Sequence, residues 1–128
     1  MTRKIVLVVD DERPIVSLLS RLVQGVGARA EIAYNGKEAI EKMRERKPDL
    51  VLLDLIMPVM SGEEVLTVME TDPELQDIPV IVISTKAAIG PGVERKVPHL
   101  RKPFEPSEVK RLIREALDPS FIAPDTDA

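Results

Sequence analysis

Residues 49 to 62 read Asp49-Leu50-Val51-Leu52-Leu53-Asp54-Leu55-Ile56-Met57-Pro58-Val59-Met60-Ser61-Gly62. The aliphatic run Leu50 to Leu53 has no polar residue alternating within it, which describes a strand of a parallel sheet covered by helices on both faces. Asp54 closes that run. A carboxylate placed where a buried strand surfaces is poised for chemistry. The pattern recurs: Ile5-Val6-Leu7-Val8-Val9 gives way to Asp10-Asp11-Glu12, and Val80-Ile81-Val82-Ile83 ends on Ser84. Taken alone, Asp10-Asp11 is read equally well as a helix cap, because Asp accepts hydrogen bonds from the free N–H groups at a helix start.

Outward from this stretch, strand-like and helix-like segments alternate. Strands are expected near 4–9, 28–33, 49–54, 79–84 and 98–101. Residues 13–26 carry Ile15, Leu18, Leu19, Leu22, Val23 and Val26 at the three-and-four spacing of one apolar helix face; Pro14 is tolerable in the first turn, and Gly25 and Gly27 mark the end. A second helix over 37–46 follows an Asn35-Gly36 turn and stops at Lys47-Pro48; two more are expected over 63–71 and 106–117. The fold class is therefore α/β, a doubly wound five-stranded parallel sheet with helices on both faces. If the strand order is 2-1-3-4-5, strand order reverses between strands 1 and 3, and such sheets bind ligands at that point, outside the carboxyl ends of the strands. Asp10-Asp11 and Asp54 would then meet in one pocket.

Composition narrows the rest. A chain of 128 residues suits one domain, with 44% hydrophobic and 31% charged residues marking it as globular. The domain is expected over residues 1–117, with 118–128 a flexible tail or the start of a linker, since that stretch lacks helical periodicity. The absence of cysteine excludes disulfides, thiol catalysis and cysteine-ligated metals. Net charge is −4 and the only aromatics are Tyr34, Phe104 and Phe121, so neither direct nucleic-acid binding nor a base- or flavin-stacking site has support. The apolar runs are strand-sized, far short of a membrane span, and no signal-peptide core follows Met1, so a soluble, cytoplasmic chain without membrane insertion is expected.

Carboxylates held as close as Asp10, Asp11 and Asp54 would repel one another unless a cation balances them. An all-oxygen site completed by water suits Mg²⁺, with Mn²⁺ as a substitute. Lys102, in Lys102-Pro103-Phe104 after the short fifth strand, would open at the same sheet edge as a point charge. Ser84 is the matching hydroxyl. Each has an ordinary alternative, a solvated loop lysine and a strand-end turn residue.

Together these residues resemble a bacterial two-component response-regulator receiver domain, with a chemotaxis-regulator-like fold, over residues 4–117. Asp10-Asp11 resemble the family's metal-site acidic pair, Asp54 with Met57-Pro58 and Gly62 its phosphoacceptor loop, Ser84 its switch hydroxyl, and Lys102-Pro103 its lysine and cis-proline. Further echoes are Ala33-Tyr34-Asn35-Gly36-Lys37-Glu38-Ala39 and Pro48-Asp49-Leu50-Val51. The resemblance implies a flavodoxin-like strand order 2-1-3-4-5. It also implies Mg²⁺-dependent transfer of a phosphoryl group from a phosphohistidine to Asp54, the metal being held by Asp11, Asp54 and the Ile56 carbonyl, with Asp10 reached mainly through water. Lys102 and Ser84 would steady the phosphoryl oxygens. The implied partners are a sensor histidine kinase or histidine phosphotransfer protein, docking around Pro14, Ile15, Leu18 and Pro103, and a downstream protein target; Leu19, Leu22 and Val26 are read as core instead. A monomer or a weak phosphorylation-dependent dimer is implied, acting on itself rather than as a turnover enzyme. The alternatives are a non-phosphorylated scaffold, disfavoured because no site position is lost, and an aspartyl-phosphate phosphohydrolase, which would carry a second acid where Ile56 stands.

Several positions depart from the family pattern. The switch aromatic is His99, the only histidine, best read as a half-buried ring beside Leu100. The Ser84–Lys102 separation is short, and Gly90-Pro91-Gly92 with Pro98 interrupts the place of the family's fourth helix, which is expected to be shortened, displaced or mobile. Thr85 stands where Ala or Gly is common and narrows access. Ile56 could exclude hydrolytic water, whereas Lys86 could pair with a phosphoryl group or point to solvent.

Overall fold

The computed structural model describes residues 3–91, 93 and 95–118. Five parallel strands, β1 (Ile5–Val9), β2 (Arg29–Ala33), β3 (Leu50–Leu53), β4 (Val80–Ser84) and β5 (His99–Arg101), form one sheet in the order β2-β1-β3-β4-β5. The helices are α1 (Arg13–Gly25), α2 (Gly36–Glu45), α3 (Gly62–Thr71) and α4 (Pro106–Leu117).

The unbroken aliphatic runs follow from this two-sided burial. Leu7, Val9, Val51, Leu53, Val80 and Val82 point to one face, where Ala39, Ile40 and Met43 of α2 and Val65, Leu66 and Met69 of α3 cover them. Val6, Val8, Leu50, Leu52, Ile81 and Ile83 point to the other, under Val16, Leu19, Leu22 and Val23 of α1 and Val109 and Ile113 of α4. Successive side chains of a strand face opposite ways, so covering both faces demands an apolar residue at every position. Val26 packs at the margin of this second layer, in keeping with its reading as core.

Local chemistry sets the helix boundaries. Pro14 occupies the first turn of α1, where its missing N–H costs nothing, and Gly27, at φ 87°, turns the chain after the last turn. Asn35 is not simply a turn residue: its Oδ1 accepts from the Glu38 N–H at 2.9 Å and caps α2. Ser61 caps α3 in the same way, through the Glu64 N–H at 3.2 Å.

Between β4 and β5, no helix is present among the described residues, so the interruption expected from Gly90-Pro91 and Pro98 is complete over that part of the chain. Ile89, Val93 and Val97 pack on the α2/α3 layer in its place. Two carboxylates of α3, two turns apart, satisfy the backbone of this crossover: Glu63 accepts from the Gly90 N–H, and Glu70 accepts from the Arg95 N–H at 2.7 Å. The Arg95 guanidinium also donates to the Ile78 carbonyl. The expected tail extends beyond Asp118, outside the described residues.

The β3–α3 loop contains one conformation that the residue pattern gives no hint of. Val59 has φ 70°, is 78% exposed, and is spanned by a Met60 N–H···O=C Pro58 bond of 2.7 Å. A β-branched residue at the centre of such a three-residue turn is strained. Strain of this kind costs of order 1–3 kcal/mol, partly offset in a Gly variant by the greater freedom of its unfolded chain. Val59→Gly is therefore expected to stabilise the fold by about 1 kcal/mol, read from urea denaturation. A lower urea midpoint in the variant would show that Val59 is not strained.

Candidate functional site

Register brings the acidic groups together. Val9 pairs with Leu53 across β1 and β3, and the Asp54 N–H donates to the Val9 carbonyl at 3.0 Å, so Asp10 and Asp54 leave adjacent strands side by side. Asp10 is 1% exposed and Asp54 4%, whereas Asp11 is exposed. One carboxylate oxygen from each of Asp10, Asp11 and Asp54 lies within 4.8 Å of the others.

Lys102 reaches this cluster from the far end of the chain. Its ammonium donates to Asp10 Oδ2 at 2.7 Å and to Asp54 Oδ2 at 3.3 Å. Its own N–H donates to the Ser84 carbonyl at 3.0 Å and holds its backbone against the end of β4; the Lys102–Pro103 bond that follows is cis. The remaining oxygens are used locally: Asp10 Oδ1 accepts from the Glu12 N–H at 3.0 Å and Asp54 Oδ1 from the Ile56 N–H at 3.3 Å. Asp10 thus closes a short turn; it does not cap α1, whose cap position is Glu12 and carries no side-chain cap bond.

Charge in this cluster is unbalanced toward the negative. Burial raises Asp10 above the ordinary carboxylate range and the charge of Asp54 adds to the rise, while the Lys102 and Glu12 hydrogen bonds only partly oppose it. For Lys102, burial disfavours the ammonium, yet the hydrogen bond and charge of Asp10, with the charges of Asp54 and Glu12, outweigh it and hold the group above the usual lysine value. Two carboxylates sharing one ammonium favour any further positive charge. An oxygen-only donor set of this kind fits a hard divalent cation such as Mg²⁺.

The structure separates the other expected residues into two sets. Ser84 is buried at the sheet edge, and its Oγ accepts from the Lys86 N–H at 3.2 Å, so it is both a neighbour of Lys102 and a strand-end turn residue. His99 is half-buried and pairs with Val82 on β5; its Nε2 is buried and has no hydrogen-bond partner among the described residues. Pro14 is exposed, Ile15 and Leu18 are half-buried against the α1/α4 layer, and Pro103 is exposed, so these four could meet a partner only in part. Ile56 is 56% exposed beside Asp54, and Thr85 is exposed.

Sequence reasoning missed two contacts. Arg13 stacks over Tyr34 at 4.5 Å next to the acidic turn. Glu63 grips Lys86 at 2.7 Å. Neither had a local signal, since a charged residue in a first helical turn is ordinarily solvated.

The sheet order is that of the flavodoxin-like receiver fold. The chain belongs to the response regulator receiver domain family, whose model matches residues 6–114. It is 32% identical over 119 residues to the DNA-binding response regulator MtrA of Mycobacterium tuberculosis (strain H37Rv), covering 90% of this chain and 51% of that protein. It is 31% identical over 112 residues to protein Rrf1 of Nitratidesulfovibrio vulgaris, covering 88% of this chain and 81% of Rrf1. The chain thus spans about half the length of MtrA, whose DNA-binding description concerns that longer protein. Among solved structures, the chemotaxis response regulator CheY4 of Vibrio cholerae superposes with a TM-score of 0.81 at 28% identity, over 91% of this chain and all of CheY4.

Removing the shared cation is expected to expose the imbalance directly. In Lys102→Met two buried carboxylates lose their partner, and breaking a buried pair costs about 3–5 kcal/mol. For Asp10 the sign is that of a carboxyl held above its unfolded value: the folded state binds its proton more tightly, so lowering the pH favours folding. The loss, measured by urea denaturation at neutral pH, is therefore expected to shrink on acidification toward the normal carboxyl range. A deficit that is independent of pH would mean that Lys102 acts through packing alone.

Proposed function

We propose that this receiver domain accepts a phosphoryl group on Asp54 from a phosphohistidine of a sensor histidine kinase or histidine phosphotransfer protein. The observation that carries this reading is the meeting of Asp54, Asp10, Asp11 and the Lys102 ammonium where the strand order reverses, contributed by three separate strand ends. A nucleophilic carboxylate beside a buried cation is what phosphoryl transfer requires, because that reaction depends mainly on positioning and on neutralising charge.

In this reading an Asp54 oxygen attacks phosphorus, the phosphorus–nitrogen bond to the donor imidazole breaks, and the imidazole leaves carrying its electron pair. Lys102, already bonded to Asp54 Oδ2, steadies the charge on the phosphoryl oxygens. The Ser84 hydroxyl accepts from the Lys86 N–H and keeps its own proton free to donate to a phosphoryl oxygen. A magnesium ion held by Asp11, Asp54 and the Ile56 carbonyl, with Asp10 through water, would supply the positive charge that offsets carboxylate and phosphate together. Water attack on the acyl phosphate returns Asp54 and inorganic phosphate, so the chain modifies itself rather than turning over a substrate. Pro14, Ile15, Leu18 and Pro103 form the donor's docking margin, and the output is a contact with a downstream protein. The receiver unit is assigned to residues 1–117, and a cytoplasmic setting fits a chain in which no described helix is long and apolar enough to cross a membrane.

The test uses a small acyl phosphate and Mg²⁺, with intact mass as the readout. One phosphate adduct is expected on the unaltered chain, none on Asp54→Asn, and none when a chelator removes the metal. No adduct on the unaltered chain would favour a scaffold, and repeated turnover of a phosphomonoester would favour a hydrolase.

A further inference from the structure

Glu63 stands beside the acidic site without belonging to it. It follows Gly62, whose N–H donates to the Leu55 carbonyl at 3.0 Å and where any Cβ would collide with the Asp54 carbonyl. The backbone from which Glu63 projects is therefore anchored to the loop that carries Asp54. Its Oε1 accepts from the Lys86 ammonium at 2.7 Å and its Oε2 from the Gly90 N–H. A Cβ on Gly90 would press on that flexible carboxylate and displace it.

Lys86 is held at both ends. Its backbone N–H donates to the buried Ser84 Oγ at 3.2 Å, while its ammonium is tied to Glu63. One residue thus joins the hydroxyl of the candidate site to the β4–β5 crossover. The lysine side chain is 41% exposed, which leaves its ammonium free to change partner without crossing the core. The hydrogen bond from Lys86 holds Glu63 below the ordinary carboxylate range, against the opposing effect of burial, so the Glu63 carboxylate is an anion near neutral pH.

A phosphoryl group on Asp54 would bring roughly −1.5 to −2 charge and three strong acceptors to the same neighbourhood, against the single charge of Glu63. We propose that the Glu63–Lys86–Gly90 contact is a clamp, closed while Asp54 is bare and opened by its phosphorylation as Lys86 exchanges the Glu63 carboxylate for phosphoryl oxygens. The inference rests on Asp54 being the phosphoacceptor. Opening frees the Gly90 N–H and loosens the crossover where it meets α3, beside a recess of about 360 Å³ lined by Met60, Glu63, Thr67, Val68 and Val93. The change at β3 is thereby converted into a change on the outer surface of α3. Because coupling between two sites is reciprocal, weakening the clamp must also favour the phosphoryl-bound state.

Beryllofluoride with Mg²⁺, a stable mimic of the acyl phosphate, provides the probe, and amide hydrogen exchange at Gly90 the readout. Binding is followed separately by chemical-shift changes at the Asp54 and Leu55 amides, which Asp54→Asn must abolish. With the mimic bound, the Gly90 amide is expected to exchange about tenfold faster or more, as local opening lifts its protection. Glu63→Ala is expected to show that fast exchange without the mimic and to bind it about threefold tighter, because nothing restrains Lys86. Lys86→Met is expected to show fast exchange with no gain in affinity, having lost both partners. A contact that merely props the loop would give the two variants the same affinity. A Gly90 amide that stays protected while the mimic is bound overturns the clamp and leaves the phosphoacceptor reading standing; a chain that does not bind the mimic at all overturns both. The measurement on the unaltered chain decides the matter even if neither variant folds.

Discussion

Two buried carboxylates, Asp10 and Asp54, share the single ammonium of Lys102, and the arrangement around the sheet edge depends on that sharing. Charges removed from water are tolerated only when partners and hydrogen bonds replace the solvent, and here Lys102, the Glu12 N–H and the Ile56 N–H supply them. The replacement is incomplete by one positive charge. Burial, with the charge of Asp54 added to it, holds Asp10 above its ordinary value, and the hydrogen bond and charge of Asp10, with the other carboxylates, hold Lys102 above its own; the same surplus of negative charge favours a further cation.

That cluster exists because four parallel crossovers deliver three strand ends to one edge, yet the crossovers are not equal. Those that include α1, α2 and α3 bury the apolar faces of their helices on the sheet. The last, between β4 and β5, borrows acceptors from its neighbour instead: the Glu63 and Glu70 carboxylates of α3 and the Ile78 carbonyl. A backbone N–H satisfied by an ion-paired side chain, as that of Gly90 is by Glu63, responds to charge placed nearby more than one bonded within a helix.

Much of this was legible in the residue order. The runs at Ile5, Leu50 and Val80 mark strands to within about a residue of where they lie, because burial on both faces leaves an unmistakable aliphatic stretch. Asp10, Asp11, Asp54 and Lys102, singled out for their places at strand ends, do come together in space. Caps were read less well: Asn35 looked like a turn residue and proved to be the cap of α2, since the same side-chain oxygen serves either purpose. His99 was correctly expected to be half-buried, but the lack of a partner for its Nε2 among the described residues follows from neighbours distant in sequence. The strain at Val59 left no trace in the pattern, because a β-branched residue ordinarily argues against a positive φ.

By itself the sequence determined the alternation of strands and helices, the faces they bury and the strand ends that carry chemistry, because periodicity and apolar runs are local properties written into neighbouring residues. Only the tertiary structure decided which charges meet: that Lys102 bridges Asp10 and Asp54, and that Lys86 is bound by Glu63 rather than left in water. Residues 92 and 23 positions apart carry no mark of each other in the chain. Their pairing is fixed by strand register and by the path of an irregular crossover, and those are settled only when the whole core packs.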